Sequence, residues 1–224
     1  DTAVAGRRNR DIRNGFTLPF KWSAKNLVDT ARHPSWALSM LREGSPTLRL
    51  FGEVLGRVPQ GATISEVMQQ QISASFTWDD VAWLRSQWHG TLVLKGLSTP
   101  LHVTNALAAG IDGAVLSNHG GRQLDGAPST IGALPAFVDA AKDMTILVDS
   151  GFRSGVDIAK ALALGAHGVQ LGRATLFGLA AAGEAGVRQA LDILRRELDI
   201  AMALCGATTI DGLRGRAVVA RSRG

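Results

Sequence analysis

Residues 149–155, DSGFRSG, and residues 171–178, LGRATLFG, decide the fold. Each joins glycines and an arginine to the start of a helical stretch. Each also lies at the end of a short apolar run, Thr145–Ser150 in the first case and Gly168–Arg173 in the second. Backbone N–H groups at a helix start, with a guanidinium beside them, suit a phosphate. In phosphate-binding barrels such a site follows strands seven and eight. Working back along the chain, apolar runs recur at Leu92–Lys95 and Gly113–Asn118, and helical stretches at 100–109, 130–142 and 155–164 fill the intervals. Thr99 with Pro100 starts the first of these helices, Gly110 ends it, and Gly165 ends the third. Short continuous apolar strands alternating with helices predict buried parallel strands in βαβ units.

The unit length suits a barrel or a doubly wound sheet, and the strand ends choose between them. Four successive runs finish on residues fit for chemistry: Lys95, Ser117 with His119, Asp149, and Gly172 with Arg173. A doubly wound sheet gathers its ligand groups at one switch point, whereas a barrel brings every strand end to one mouth. The expected fold is α/β, a (β/α)8 TIM barrel represented by its C-terminal half, strands five to eight. Half a barrel exposes two parallel edges, so strands one to four are expected from another chain or a further stretch of a longer protein.

Outward from these units, helical stretches follow at 174–181 and 184–204, the second with Val187, Ala190, Leu191, Leu194, Leu198, Ala201 and Met202 on one face. Residues 1–77 lack a strand pattern and are expected to form a loop and helical segment after strand four. Helices are predicted at 23–31, 34–43 and 64–73, with a loop over 44–63. A further helix is predicted at 78–88, with Trp78, Val81, Leu84 and Trp88 on one face. Residues 207–224 are expected to be a C-terminal tail, mobile from Arg214. On this reading 1–224 belong to one barrel domain, with βα units five to eight at 78–206.

Composition narrows the function classes. A chain that is 46% hydrophobic is globular, not disordered. No uninterrupted apolar stretch of about 18 residues predicts a transmembrane helix, and DTAVAGRRNR has no apolar core of a secretory signal. The single Cys205 excludes an internal disulfide, fits a reducing, cytoplasmic compartment, and is predicted to be a buried inert thiol within MALCGA. The net charge is +5, and residues 1–57, with ten Lys/Arg against five Asp/Glu, account for the surplus. Such an excess fits nucleic acid, anionic lipid or an anionic substrate. The aromatics do not interleave with the basic residues as a base-stacking platform needs, so no nucleic-acid partner is expected. A basic nucleic-acid-binding module and a phosphate-binding barrel such as an isomerase or aldolase remain open as function classes. No Cys/His spacing suggests a metal, and His33, His89, His102 and His167 are expected to be structural or exposed.

The stretch with most chemistry is SNHGGRQLDG, 117–126. His119 lies two residues beyond a strand end, beside a glycine pair that lets a ligand approach the backbone, and three residues before Arg122. Imidazole is the usual general base near neutral pH, and arginine can clamp a carboxylate bidentately.

Together LVLKG (92–96), SNHGGRQLDG, DSGFRSG, KALALGA (160–166) and LGRATLFGLA (171–180) resemble the FMN-dependent 2-hydroxy-acid oxidase and dehydrogenase family. The opening DTAVAGRRNRDIRNGF resembles the stretch after that family's fourth strand, and the likeness covers residues 1–18 and most of 78–206. The resemblance implies FMN as cofactor, a small 2-hydroxy acid as substrate and a homo-oligomer, a tetramer in this family. It implies His119 as catalytic base, Asp1 as the carboxylate supporting the imidazolium, and Arg8 with Arg122 as the substrate-carboxylate pair. Lys95 would lie at the flavin N1–O2 edge, Ser117 against the flavin ring and Asp149 at the ribityl chain, with Ser150, Gly151, Arg153, Gly172 and Arg173 around the phosphate. The usual family text at 149–151 is DGG; here it is DSG.

Residues 23–36, SAKNLVDTARHPSW, and 74–88, ASFTWDDVAWLRSQW, resemble the mandelate dehydrogenase branch most, which implies an aromatic 2-hydroxy acid, with lactate or another small one as runner-up. Some members of that branch attach to the inner membrane through the segment after strand four. Here that segment sets Phe16, Leu18, Phe20, Trp22 and Trp36 among Lys21, Lys25 and Arg32, a mixture suited to an anionic lipid surface.

Overall fold

A computed structural model describes residues 6, 8–15, 22–44 and 73–216, so nearly all of the predicted helix at 64–73 and of the predicted loop at 44–63 lies outside the described residues. The chain divides into two units, residues 2–75 and residues 76–224. In the first, the described residues form α1 (Asn9–Arg13), α2 (Ala24–Arg32) and α3 (Pro34–Glu43). The Ser23 side chain caps α2 by accepting the Asn26 N–H, and Pro34 sits at the start of α3. Buried Asn26 closes the preceding turn by donating to the Gly15 carbonyl.

The second unit opens with α4 (Trp78–Gln87), started by a reciprocal cap between Thr77 and Asp80. Val81 is buried and Trp78 packs against the core, beside His102. Trp88 lies one residue past the helix end and is exposed, so the predicted four-residue face holds only in part. Four strands follow, β1 (Val93–Leu97), β2 (Gly113–Leu116), β3 (Thr145–Val148) and β4 (Gly168–Val169), all parallel and in the order β1-β2-β3-β4. A doubly wound sheet reverses its strand order; this unreversed order is that of a barrel wall. Helices α5 (Pro100–Ala108), α6 (Thr130–Ala141) and α7 (Gly155–Ala163) connect the strands.

The core lies between one sheet face and these helices. Ala114, Leu116, Ile146 and Val148 alternate onto that face and meet Val103 and Ala106 of α5 and Leu134 and Phe137 of α6. Every residue of β2 is buried, whereas β1 and β4 form the sheet's two edges and are more exposed. β2, β3 and β4 stop short of the predicted polar ends, whereas β1 runs past Lys95 to Leu97: β4 spans only two residues, and β3 ends before Ser150, whose backbone turns to φ +79°.

Helix α8 (Arg173–Leu204) is broken at Ala182 and Gly183, which yields the two predicted stretches. Gly178 and Gly186 bring the segments on either side of the break into backbone contact. Leu194 and Ala201 are buried as predicted, but Leu191 is exposed. Two features differ from expectation. Cys205 is exposed: it caps the end of α8, its N–H bonded to the Ala201 carbonyl, and its side chain sits at an open helix end beside exposed Leu204. Residues 207–216 pack rather than trail, since Ala207 and Leu213 are buried against α7 and α8, Gly215 N–H bonds to the Ala163 carbonyl, and Arg216 donates to the Cys205 and Gly206 carbonyls. Residues 217–224 lie outside the described residues. Among the described residues no helix is long and apolar enough to cross a membrane.

Candidate active site

Parallel strands bring their C-terminal ends to one edge, and there the predicted residues converge. The register of β1 against β2 shifts between Lys95 and Leu97, where Gly96 takes φ +90°. Lys95 Nζ lies 2.7 Å from Asp149 Oδ2 and donates to Ser117 Oγ at 3.1 Å. Ser117 is buried. Burial works against the charge on Asp149, but hydrogen bonds from Lys95, Ser117 and Ser150 outweigh it and hold the carboxyl below its ordinary pKa. Ser150 Oγ–H donates to Asp149 Oδ1 at 2.6 Å and accepts the Gly120 N–H at 3.0 Å, so its hydroxyl is committed inside the protein.

The loop after β2 is held from several sides. His119, Gly120 and Gly121 follow one another at φ +55°, +66° and +71°. Non-glycine residues in that region are uncommon and cluster at functional sites. The His119 N–H donates to Ser117 Oγ at 3.1 Å, and Arg173 Nη2 donates to the Gly120 carbonyl at 2.8 Å. A Cβ on Gly120 would lie 2.5 Å from that movable nitrogen, and the positive φ favours glycine there. Asn118 accepts the Gly121 N–H and donates to the Pro128 carbonyl. Burial lowers the His119 pKa, the Lys95 charge lowers it further, and Asp149 opposes both; the net direction is below the ordinary histidine value. His119 is thus neutral near pH 7 and able to accept a proton.

The two glycine-arginine motifs differ. At α7 most of the N-terminal donors are already used: Asp157 accepts the Arg153 and Ser154 N–H groups, Ser154 Oγ accepts the Asp157 N–H, and Gly155 N–H donates to Glu197 at 2.7 Å. Gly172, at the start of α8, has no side-chain cap, and a Cβ added at Gly172 or Gly151 would meet nothing within 4 Å. Arg153 and Arg173 are both exposed. An open helix start with arginines at neighbouring strand ends fits the phosphate of a bound cofactor.

Arg122 is exposed, its backbone N–H bonded to the His119 carbonyl. Arg8, in the first unit, has Nη1 3.9 Å from Asp11, and its buried Nε has no hydrogen-bond partner among the described residues. Asp1 lies outside the described residues. His102 and His167 serve structural contacts, each accepting a backbone N–H on Nδ1. The sequence reading does not single out Asn118 or Thr130. Asn118 had a readable signal, a turn-forming residue before a His-Gly-Gly run. Buried Thr130, whose hydroxyl donates to the Asp149 carbonyl at 2.7 Å, had none beyond its place at a helix start.

Comparison with known proteins agrees with this geometry. Residues 1–220 match the family described as FMN-dependent dehydrogenase. The chain is 45% identical over 213 residues to (S)-mandelate dehydrogenase of Pseudomonas putida, covering 95% of this chain and 53% of that protein. It is 41% identical over 223 residues to an L-lactate dehydrogenase of Pectobacterium atrosepticum, covering 98% and 57%. Among solved structures, the monotopic membrane protein (S)-mandelate dehydrogenase superposes with a TM-score of 0.88 at 43% identity, over 96% of this chain and 57% of that one. A mandelate oxidase mutant with a monooxide FMN adduct gives a TM-score of 0.62 at 44% identity, over 64% and 46%. The chain spans a little over half the length of these curated relatives. Its motifs, its parallel sheet and these matches agree: the chain belongs to the FMN-dependent dehydrogenase family and carries the C-terminal portion of that family's barrel.

Proposed function

We propose that these residues form the catalytic half of an enzyme that oxidises a 2-hydroxy acid to the 2-oxo acid. The observation that carries this reading is a histidine held neutral at the barrel mouth, beside a Lys95–Asp149 ion pair. FMN, when bound, supplies the acceptor for the two electrons and the hydrogen that leave the substrate Cα. Gly151, Arg153, Gly172 and Arg173 would hold its phosphate, Asp149 its ribityl chain, and Ser117 and Lys95 its ring. Lys95 would stabilise negative charge as it develops there. His119 takes the substrate hydroxyl proton on an imidazole nitrogen, and Asp1 supports the resulting imidazolium. Arg8 and Arg122 fix the substrate carboxylate and so orient Cα.

The favoured substrate is (S)-mandelate or a related aromatic 2-hydroxy acid, after the relative and solved structure of that name. Lactate is the second reading, supported by the relatives named L-lactate dehydrogenase. Residues 1–224 belong to one barrel domain whose remaining strands cover the β1 and β4 edges, within a homotetramer. The protein is cytoplasmic and rests on the inner face of the membrane. Exposed Trp22, Leu27, Val28, Trp36 and Leu41, beside Lys25, Arg32 and Arg42, support that placement. Vesicle flotation with and without residues 16–43 tests it, and equal partitioning would refute it.

The test of function is anaerobic addition of (S)-mandelate to the complete, FMN-loaded protein. Loss of the oxidised-flavin absorbance band is expected. Bleaching by L-lactate alone moves the substrate to the second reading, and a protein unable to bind FMN overturns the proposal.

A further inference from the structure

Ser150 occupies a backbone setting, φ +79°, that suits glycine. The side chain held at this strained position joins two loops. Its Oγ–H donates to Asp149 Oδ1 at 2.6 Å on its own strand end, and its oxygen accepts the Gly120 N–H at 3.0 Å from the loop after β2. Gly120 is bonded to His119, and its carbonyl is held separately by Arg173. Asp149 in turn pairs with Lys95 at 2.7 Å. Two hydroxyls therefore connect the histidine loop to the Lys95–Asp149 pair: Ser117, which accepts from the His119 N–H and from Lys95, and Ser150, which reaches the loop one residue further on at Gly120.

We propose that Ser150 is a positioning residue for His119: its hydroxyl fixes the loop that carries the imidazole relative to the Lys95–Asp149 pair. The proposal rests on the reading of His119 as the base. It assigns the Ser150 side chain to the catalytic loop and not to the phosphate. Two variants separate hydroxyl from backbone. Ser150→Gly removes both hydrogen bonds and relieves the positive-φ strain, so it has no backbone reason to misfold; Ser150→Ala removes the bonds and keeps the strain.

The experiment is amide hydrogen exchange at Gly120 in the complete protein, with and without FMN, alongside kcat and KM. Losing one net hydrogen bond is worth about a five- to tenfold change in local opening. Gly120 exchange is expected to quicken by about that factor in both variants, and kcat to fall by about tenfold at little-changed KM. Unchanged Gly120 exchange in Ser150→Gly would overturn this proposal alone, as would faster exchange with wild-type kcat. A His119→Gln protein with wild-type turnover would overturn the base reading and this proposal with it.

Discussion

DSGFRSG and LGRATLFG are alike as text and unlike as structure. Both place an arginine and glycines at a helix start, yet α7 is closed from within by Ser154, Asp157 and Glu197, while α8 begins at Gly172 with no side-chain cap and no acid in its first turn. Two carboxylates at the start of α7 would repel an anion as well as occupy its donors. On the proposed reading the phosphate site implied by both motifs would be carried by the α8 start, with the first motif contributing Gly151 and the Arg153 guanidinium. A glycine-arginine helix start is a phosphate site only where its N–H groups remain open.

Substitutions can sharpen that contrast. The largest expected effect separates chemistry from binding. His119→Gln should lower kcat by about a thousandfold, in the range of a lost general base, while FMN affinity changes little. In the wild type, kcat/KM should rise with pH through an apparent pKa below 6.5 and stay level above it. Below that pKa His119 is protonated and cannot accept the hydroxyl proton; a profile that rises only above 6.5 would contradict the direction set by burial and Lys95. Next, Gly172→Asp places a carboxylate and a self-made cap at the open helix start, and FMN affinity should fall by about a hundredfold. Arg173→Ala removes a guanidinium that also holds the Gly120 carbonyl, so FMN affinity should fall by about tenfold and kcat with it. The smallest effect is expected at the closed helix. Ser154→Ala should cost about 1 kcal/mol of stability, read by denaturant unfolding, with FMN affinity unchanged.

Local signals made much of this legible in the sequence. Gly and Pro punctuation placed α5 and α7, and reading 174–181 and 184–204 as separate stretches anticipated the break in α8. Polar residues after apolar runs marked Lys95, Ser117, His119 and Asp149, because parallel strands bring their ends together whatever the loops between them do. Contacts between distant residues were not legible. Glu197 lies 42 residues from the Gly155 N–H it accepts, and Arg173 lies 53 residues from the Gly120 carbonyl, so nothing local announces that one helix start is closed and the other open. The packing of 207–216 against α7 escaped for the same reason. Cys205 escaped because the apolar text MALCGA does not show that this end of α8 is open, with Leu204 exposed as well.

The most direct measurement is a parallel FMN titration, followed by flavin fluorescence quenching, of the complete wild-type protein, Gly172→Asp and Ser154→Ala. The open α8 start predicts wild-type affinity for Ser154→Ala and about a hundredfold loss for Gly172→Asp. Wild-type affinity in Gly172→Asp, or an equal loss in Ser154→Ala, would contradict it.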